Sequence, residues 1–330
     1  MAVRHYIFSD KASDIRIGGI AVNKEIALAL GGGGIRGIAH IGVIRCLEEH
    51  GFKVRAVVGT SAGGLVGSVY AAGYSIEAIA QAARDLAMHP SFKRSPDDKP
   101  SLLGAASVTK LLIEMLGEQN IEEFPIPFVA TAVSVKSGEE FLLNKGSAVD
   151  AVLSTIAIPG ILPIQEINGV TLMDGGVLDP VPVKAARWLN PKLPIVAVVL
   201  HDKSIEAMPD RIPLPLPEVL PYPIKEQLSK LRIVEAMKIF SRSVEVCTQR
   251  LSELNLMLDK PDVIIRPKVG HFNLFGKVDP DELIQKGYEA TLPMIAQLMR
   301  ACGLYKTFVR ALKFRDFQKT APNGWRFLSS

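Results

Sequence analysis

The sequence predicts an α/β domain organised around a mainly parallel sheet. Residues 26–30 and 56–58 are continuous apolar runs, as expected of strands that are buried on both faces. Each run enters a glycine-rich turn, and an apolar pattern at helical spacing follows each turn. Strands and helices that alternate with short links form βαβ units, so the strands of the sheet should be mainly parallel.

The same two kinds of element continue along the chain to residue 302. Further strands are expected at 128–135, 140–143, 170–173, 195–200 and 263–266, and helices at 38–49, 65–72, 148–158, 181–189, 228–258 and 279–302. Residues 76–125 should form helical pieces joined by an exposed polar stretch at 90–100. With 330 residues and a hydrophobic content of 48%, the chain is long enough to form one large α/β domain.

Two stretches allow alternative interpretations. Residues 209–223 contain six prolines, which exclude a helix or a central strand, so this stretch is either a surface linker, which we favour, or a lid-like loop. In the helix 228–258, apolar residues alternate spacings of three and four: Met237, Phe240, Val244, Cys247, Leu251, Leu254 and Leu258. This stripe could form a coiled-coil dimer, but packing on the sheet is the commoner arrangement.

Charge and cysteine content limit the possible functions. The net charge is +4, and residues 304–330 alone carry +5, so the rest of the chain is close to neutral. A neutral body offers no basic face for nucleic acid. Three cysteines without a C-x-x-C spacing indicate a reducing compartment rather than a disulfide framework.

No segment of the sequence predicts secretion or membrane insertion. Residues 1–23 contain no apolar run long enough for a secretion signal, so we expect a cytoplasmic protein. Residues 56–76 carry no charge and could span a bilayer by length alone. Their five glycines and strand–turn–helix pattern favour a buried core instead.

Gly59-Thr60-Ser61-Ala62-Gly63 matches the G-x-S-x-G nucleophile elbow, in which a serine lies on a sharp turn between a strand and a helix. Gly59 and Gly63 suit such a turn because a side chain there would collide with the returning backbone. The helix N-terminus supplies free N–H groups and partial positive charge to an anion that forms at the serine. The alternative is a glycine-rich connection without chemistry.

A second glycine-rich turn covers residues 31–37. Its G-x-G-x-x-G pattern resembles a dinucleotide-binding turn, but the second strand ends at Ser61 instead of the acidic residue that such a site requires. Successive glycine N–H groups at a helix N-terminus can instead stabilise an oxyanion. Because neighbouring parallel strands end at the same edge of a sheet, this turn and Ser61 should face one point.

A nucleophilic serine needs a base. Among the six histidines, His201 directly follows a strand and is the best histidine candidate, and His271 lies in a loop. His40 is expected to point away from the strand ends. Asp174 is a better candidate, because it follows a strand and the glycines 175–176 allow close approach. A carboxylate next to a serine hydroxyl can take its proton directly.

Four blocks in order resemble the patatin-like phospholipase family: Gly-Gly-Gly-Gly-Ile-Arg-Gly at 31–37, Gly-Thr-Ser-Ala-Gly at 59–63, Ile-Pro-Gly at 158–160 and Asp-Gly-Gly at 174–176. Residues from about 26 to 200 resemble the whole catalytic domain of compact bacterial members of that family. The resemblance implies a three-layer α/β/α sandwich around a mixed, mostly parallel sheet.

The resemblance also implies the chemistry. It gives Ser61 as the nucleophile, Asp174 as its partner in a Ser-Asp dyad, and an oxyanion hole built from Gly32, Gly33 and Gly34. The supporting motif residues are Arg36, Gly37, Gly59, Gly63, Gly175 and Gly176. The family hydrolyses acyl esters of phospholipids, lysophospholipids or neutral lipids and needs no metal or cofactor.

The sequence therefore favours a serine acyl hydrolase for lipid esters. One alternative is a conventional α/β-hydrolase with a histidine base. Another is a regulatory or lipid-binding protein with weak or vestigial esterase activity.

We divide the chain into an N-terminal extension (1–23), a catalytic domain (24–203), a Pro-rich loop and helical part that complete the same domain (204–303), and a basic aromatic tail (304–330). The tail has the composition of an interfacial segment, which predicts a peripheral contact with the inner membrane face. The alternative is a tail that is solvated or packed on the core. The sequence leaves the oligomeric state open.

Overall fold

The structure is a computed structural model that describes residues 24–88, 99, 101, 103–201, 232–272, 278–314 and 325–328, and the backbone of 16–17 and 20–21. From 232 to 241 it describes the backbone and the side chain of Ile239. The predictions for 209–223 and for most of 90–100 lie outside the described residues.

Eleven strands are present in the described part of the chain. In chain order they are β1 (Arg16–Ile17), β2 (Ile20–Ala21), β3 (Glu25–Leu30), β4 (Lys53–Gly59), β5 (Phe128–Ser134), β6 (Glu140–Leu143), β7 (Gln165–Ile167), β8 (Val170–Asp174), β9 (Ile195–Val198), β10 (Val263–Ile265) and β11 (Trp325–Arg326). β1 and β2 pair with each other, and the other nine strands form one sheet.

Ten α-helices connect or flank these strands in the same described residues. They are α1 (Ala39–Glu49), α2 (Ala62–Ala71), α3 (Ile76–Met88), α4 (Ala106–Leu116), α5 (Ala148–Thr155), α6 (Val183–Leu189), α7 (Arg232–Asp259), α8 (Pro280–Thr291), α9 (Ile295–Ala301) and α10 (Leu304–Lys313). The predicted helix 279–302 is divided into α8 and α9 by a 3₁₀ turn at Leu292–Met294. Pro293 lies in this turn, and a proline has no N–H for continued α-helical bonding.

The large sheet is mixed and mostly parallel, as predicted. Its order is β10-β9-β3-β4-β5-β6-β11, and β8 also pairs with β5 and with β7. The first five strands are parallel, whereas β6 and β8 run antiparallel to β5. Alternate residues of β3 enter two separate cores, with Leu28 in one and Ala27 and Ala29 in the other. Helices therefore cover both faces of the sheet, which confirms the α/β fold.

Strands β4 and β8 meet along one edge of β5. Gly59, the last residue of β4, pairs with Ala130, and Asp174, the last residue of β8, pairs with Ala132. β6 covers these same β5 residues, so it occupies the other edge. β4 and β8 therefore run toward each other, and their C-terminal ends are two β5 residues apart, about 7 Å.

Helices α1 and α8 cross at two glycines. A Cβ at Gly42 would lie 1.8 Å from the Ile284 carbonyl oxygen, and a Cβ at Gly287 would lie 1.9 Å from the Ala39 carbonyl oxygen. Any side chain at either position would force the helices apart. This close packing joins α8 to the helix that begins below the 31–37 turn.

Helix α7 begins at Arg232 within the described residues and ends at Asp259, close to the end predicted for the helix 228–258, but its orientation contradicts the prediction. The apolar stripe was expected to pack on the sheet, yet Leu254 and Leu258 are 46% and 77% exposed. The buried residues of α7 include Ser252 and Leu256. The helix binds the domain through polar side chains, so the apolar stripe does not mark the buried face.

The tail 304–330 is only partly an appendage. Arg310 is buried and donates hydrogen bonds to Asp262, 2.8 Å, and to the Lys192 carbonyl, 3.3 Å. Trp325 pairs with β6, and its Nε1–H donates to Glu140 Oε2 over 2.6 Å. These parts of the tail pack on the domain, and α10 lies on its surface.

Candidate active site

Ser61 occupies a strained turn between β4 and α2. Its φ of 53° and ψ of −125° lie outside the regions that non-glycine residues prefer. The glycines around it are sterically required, because a Cβ at Gly59 would lie 2.4 Å from the Gly63 carbonyl oxygen and a Cβ at Gly63 would lie 2.1 Å from the Leu30 carbonyl oxygen. The local geometry is that of a nucleophile elbow.

Thr155 holds the strained backbone of Ser61 in place. The Ser61 N–H donates a hydrogen bond to Thr155 Oγ1 over 2.9 Å, and both residues are buried. Thr155 is the last residue of α5, on the side of the elbow away from β3. An unsatisfied buried N–H would cost about 1–3 kcal/mol, so this contact stabilises the turn.

Asp174 lies beside Ser61 at the end of β8. It is 5% exposed, and Ser61 is 6% exposed. Ser61 interacts with the Asp174 side chain, and the Gly176 N–H donates a hydrogen bond to Asp174 Oδ1 over 2.7 Å. Burial raises the pKa of Asp174 to about 6, although the interactions with Ser61 and Gly176 oppose the increase. At neutral pH the carboxylate is therefore ionised and can accept a proton.

The chain after Asp174 also contacts both glycine-rich turns. Thr60 Oγ1 donates to the Asp179 carbonyl over 2.9 Å and shares a 2.7 Å hydrogen bond with Thr131 Oγ1. The Gly32 N–H donates to the Pro180 carbonyl over 3.0 Å. The 174–180 segment therefore joins the elbow to the 31–37 turn.

The first glycine turn lies next to Ser61, as the parallel strand order predicted. A Cβ at Gly32 would lie 3.1 Å from Ser61 Cβ and 3.9 Å from Ser61 Oγ. The Gly32 N–H is already bound to Pro180. Within the described residues, the N–H groups of Gly33 and Gly34 have no protein acceptor, and neither has that of Ala62 at the start of α2. These three N–H groups lie in the two glycine-rich turns.

The side chains of His40 and Arg36 anchor the 31–37 turn to the rest of the domain. His40 is fully buried, and its Nε2–H donates to the Gly31 carbonyl over 2.8 Å. Burial lowers the pKa of His40 to about 4, so the ring is neutral at neutral pH. The prediction that His40 points away from the strand ends was wrong. Arg36 is also buried, and it donates to the Phe272 carbonyl over 2.7 Å and pairs with Glu245. Arg36 therefore supports the turn.

The histidines considered as alternative bases have other neighbours. His201 is buried, with Nδ1 3.8 Å from Glu253 Oε1. His271 packs against the ring of Phe272, with centroids 4.2 Å apart. In the described part of the chain, neither histidine forms a hydrogen bond with Ser61. The same residues contain no group of three or more His, Cys, Asp or Glu side chains that could hold a metal ion.

The elements that form this arrangement also carry the family signature. Residues 28–187 match the family model described as patatin-like phospholipase, from β3 to the middle of α6. The chain belongs to the patatin-like phospholipase family through this domain.

Relatives of this patatin-like protein occur in bacteria and fungi. An uncharacterized NTE family protein of Mycobacterium tuberculosis is 38% identical over 192 residues, which cover 57% of this chain and 52% of the relative. The lysophospholipase NTE1 of Candida albicans is 31% identical over 205 residues, which cover 61% of this chain and 14% of the relative. The chain thus matches about half the length of the mycobacterial protein and a small part of the fungal enzyme.

Among solved structures, VipD from Legionella pneumophila matches with a TM-score of 0.44 and 13% identity. The match covers 83% of this chain and 67% of that chain. A likeness this distant adds nothing to the fold described above.

Several residues of this patatin-like site were not found by sequence reasoning. Thr155 lies inside the predicted helix 148–158, and nothing in its local sequence distinguishes it from other helical threonines. Thr60 closely follows a predicted strand, which is the one signal that could have indicated it, whereas Thr131 lies in the middle of the adjacent strand β5. The Gly32–Pro180 hydrogen bond depends on the tertiary path of the loop, so no pattern indicates it.

Proposed function

We propose that this protein is a serine acyl hydrolase that cleaves ester bonds of lipids. The observation that carries the proposal is that Ser61, on its strained elbow, interacts with the buried carboxylate of Asp174 and opposes the rise of its pKa. An exposed or solvated aspartate would be a weak base with a pKa near 3.8, whereas burial moves this pKa to about 6, closer to the pH at which a general base is most effective.

In the proposed reaction, Asp174 takes the hydroxyl proton of Ser61 while Ser61 Oγ attacks the ester carbonyl. The negative charge moves to the carbonyl oxygen, where the N–H groups of Gly33, Gly34 and Ala62 are the available donors. The Gly32 N–H was predicted as a third member of this oxyanion hole, and we omit it because it is bound to Pro180. One well-placed donor lowers such a barrier by about 3 kcal/mol.

Collapse of the intermediate breaks the ester bond, and the alcohol leaves with the proton held by Asp174. Ser61 then carries the acyl group as an ester. A water molecule gives its proton to Asp174 and attacks this ester, and the carboxylic acid leaves as Ser61 recovers its proton. Asp174 thus serves first as base and then as acid in each half of the cycle.

Lysophospholipids are the substrate class that we propose to test first. The fungal relative, which is 31% identical, is named a lysophospholipase. Phospholipids and neutral lipids follow as the other esters expected of a patatin-like enzyme. The proposed location is the cytoplasm, with contact to the inner membrane face.

The decisive experiment uses a fluorophosphonate probe and a panel of lipid esters. Wild type should be labelled and should hydrolyse at least one ester class, and Ser61→Ala should do neither. Ser68→Ala is the matched control, because Ser68 is also buried in α2 but donates to the Leu65 carbonyl over 2.9 Å. If wild type is neither labelled nor active, the regulatory or lipid-binding alternative replaces the proposal.

Peripheral membrane contact is proposed for α10. Its outward residues are large and apolar, and Tyr305 and Phe308 are 80% and 63% exposed. The exposed apolar residues are Leu304, Tyr305, Phe308, Val309 and Leu312. No acidic residue occurs between Glu289 and Asp316, so the helix combines an apolar face with basic side chains, as interfacial helices do.

The position of α10 suggests an anchor that is separate from the active site. Arg310 binds Asp262 and the Lys192 carbonyl, which precede β10 and β9, at the end of the sheet opposite Ser61. Co-sedimentation with phosphatidylglycerol vesicles should therefore fall in Phe308→Glu, without loss of activity on a soluble ester. Ile113→Glu, at an exposed apolar position on α4, is the control. Equal binding of both variants would remove the membrane proposal.

A further inference from the structure

Helix α7 turns its heptad-spaced apolar residues away from the domain. Val244, Cys247, Leu251, Leu254 and Leu258, which we call the α7 seam, alternate spacings of three and four. Val244 and Cys247 are exposed, and so are Leu254 and Leu258. Met237 and Phe240 continue the same spacing toward the start of the helix.

The domain does not need the seam to hold α7. Glu245 pairs with Arg36, and Glu253 pairs with Arg266 over 2.8 Å. Asn255 donates to the Leu178 carbonyl over 3.2 Å, in the loop that follows Asp174. These polar contacts and the buried residue Leu256 form the inner face of α7, and among the described residues most of the seam is exposed.

A groove lies beside the seam on the side of α8. It has a volume of about 750 Å³. Its apolar lining consists of Leu256, Met257, Ile264, Ala290, Pro293 and Met294. Met257 is 66% exposed and borders both the groove and the outer face of α7. The groove is also lined by charged residues of both signs: Glu253, Arg266, Lys268, Lys286 and Glu289. A projecting apolar ridge beside a groove with apolar and mixed-charge lining can complement the same surface of a second copy, as a two-fold interface requires.

We propose that the α7 seam and the adjacent groove form a dimer interface, and that the partner is a second copy of this chain. Heptad spacing is the pattern by which helices pair with helices. Residues 237–258 extend for about 33 Å at 1.5 Å per residue. That length holds about three heptads, over which two helices can pair.

Charge favours a protein partner over a membrane at this surface. From Val244 to Leu258 the charged residues are Glu245, Arg250 and Glu253, and both glutamates are in ion pairs with the domain. The groove adds Arg266, Lys268 and Lys286, and Arg266 and Lys286 lie 2.8 Å and 3.9 Å from Glu253 and Glu289. Basic residues that are mostly paired in this way do not provide the basic border that binds anionic lipid. The shorter α10 has that border but extends for only about 15 Å, which is too short for a stable dimer by itself.

Cys247 provides an internal probe for this dimer. It stands at the centre of 237–258, so it would lie near its own counterpart in a parallel pairing and also in an antiparallel one. Cys46 and Cys302, the other two cysteines, are buried. A short bismaleimide should therefore join two wild-type chains through Cys247, and Cys247→Ser should abolish the covalent dimer.

The test measures mass by sedimentation velocity over a range of concentrations, together with this cross-linking, on the full chain. We expect a dimer for wild type, and a dissociation constant at least a hundredfold higher for Leu254→Asp, because a two-fold interface contains the substitution twice. Phe308→Asp places the same charge on the exposed face of α10 and should leave the dimer intact. Circular dichroism confirms that each variant is folded.

Three results would overturn the proposal. The first is that wild type is a monomer at every concentration and does not cross-link. The second is that Leu254→Asp remains a dimer. The third is that Leu254→Asp loses vesicle binding while its mass is unchanged. None of these measurements depends on hydrolytic activity, so the interface and the proposed function can fail separately.

Discussion

Replacing Asp174 with asparagine separates the energetic cost of the buried carboxylate from its proposed chemistry. Burial raises the pKa of Asp174 from 3.8 to about 6. A difference of about two units corresponds to about 3 kcal/mol between the folded and unfolded states. The folded protein binds this proton more tightly than the unfolded chain does. The stabilisation that results is complete below about pH 4 and is lost as the pH rises to about 6.

Asparagine keeps an oxygen for the Gly176 N–H and removes the buried charge. We therefore expect Asp174→Asn to be more stable than wild type at neutral pH by up to about 3 kcal/mol. It should also lower turnover by about 10³-fold, because the amide cannot accept the Ser61 proton. Higher stability with lost activity is typical of a residue that is retained for chemistry.

Urea denaturation of both proteins between pH 4 and pH 8 measures this effect. The stability difference should increase by about 1.4 kcal/mol per pH unit up to about pH 6 and then remain constant. Asp150→Asn, at an exposed position of α5, should change neither stability nor turnover. A stability difference that does not vary with pH would refute the argument from burial, and turnover retained in Asp174→Asn would refute its role as the base.

Three further predictions follow from the same geometry. The kcat/KM of wild type for a soluble ester should fall about tenfold per pH unit below about pH 6, because only ionised Asp174 accepts a proton, and a profile that is flat down to pH 4 would contradict this. Thr155→Val should lower the rate of fluorophosphonate labelling about tenfold or more, because it leaves the Ser61 N–H unsatisfied, and Thr155→Ser should keep the wild-type rate. The control Thr291→Val removes a buried hydroxyl in α8 and should affect stability only. Gly287→Ala should destabilise the protein by about 2 kcal/mol or more in thermal unfolding, because the added Cβ would overlap the backbone of α1. A stability within about 0.5 kcal/mol of wild type would instead show that α1 and α8 can move apart at little cost.

The strands of this fold were predictable because they are buried on both faces. A continuous apolar run such as Ile26–Leu30 or Ile195–Val198 is hard to place anywhere except in a covered sheet. The sequence did not predict that β8 pairs antiparallel with β5. The local pattern of a strand is the same whether it reaches its neighbour through a hairpin or through a crossover connection. The short strands β7 and β11 contain too few residues to show an alternating pattern.

The orientation of α7 shows where periodicity is insufficient. Its spacing identified a helix and one apolar face, but the inner face is selected by ion pairs with Arg266, which follows β10, and with Arg36, which is distant in sequence. A charged partner far along the chain leaves no periodic signal. The apolar stripe was therefore assigned to the wrong surface, although the helix itself was placed correctly.

At the candidate site, the sequence indicated which residues meet but not which atoms are available. The motifs placed Gly32, Ser61 and Asp174 at one edge of the sheet, and the structure brings them together. The motif treats the three glycines after Gly31 alike. The hydrogen bond from Gly32 to Pro180 distinguishes them, because in the described residues only the N–H groups of Gly33 and Gly34 have no acceptor.

The approach of β4 and β8 along β5 gives a physical basis for the proposed dyad, in which an aspartate acts without a histidine. In a histidine-dependent hydrolase, an imidazole bridges the distance between serine and carboxylate. Here the register of two strands on a shared neighbour brings the carboxylate to the serine hydroxyl directly. That placement also encloses the carboxylate, because the 174–180 loop covers it, and the same enclosure raises its pKa toward neutrality. One topological feature therefore supplies both the contact and the basicity that the proposed chemistry needs.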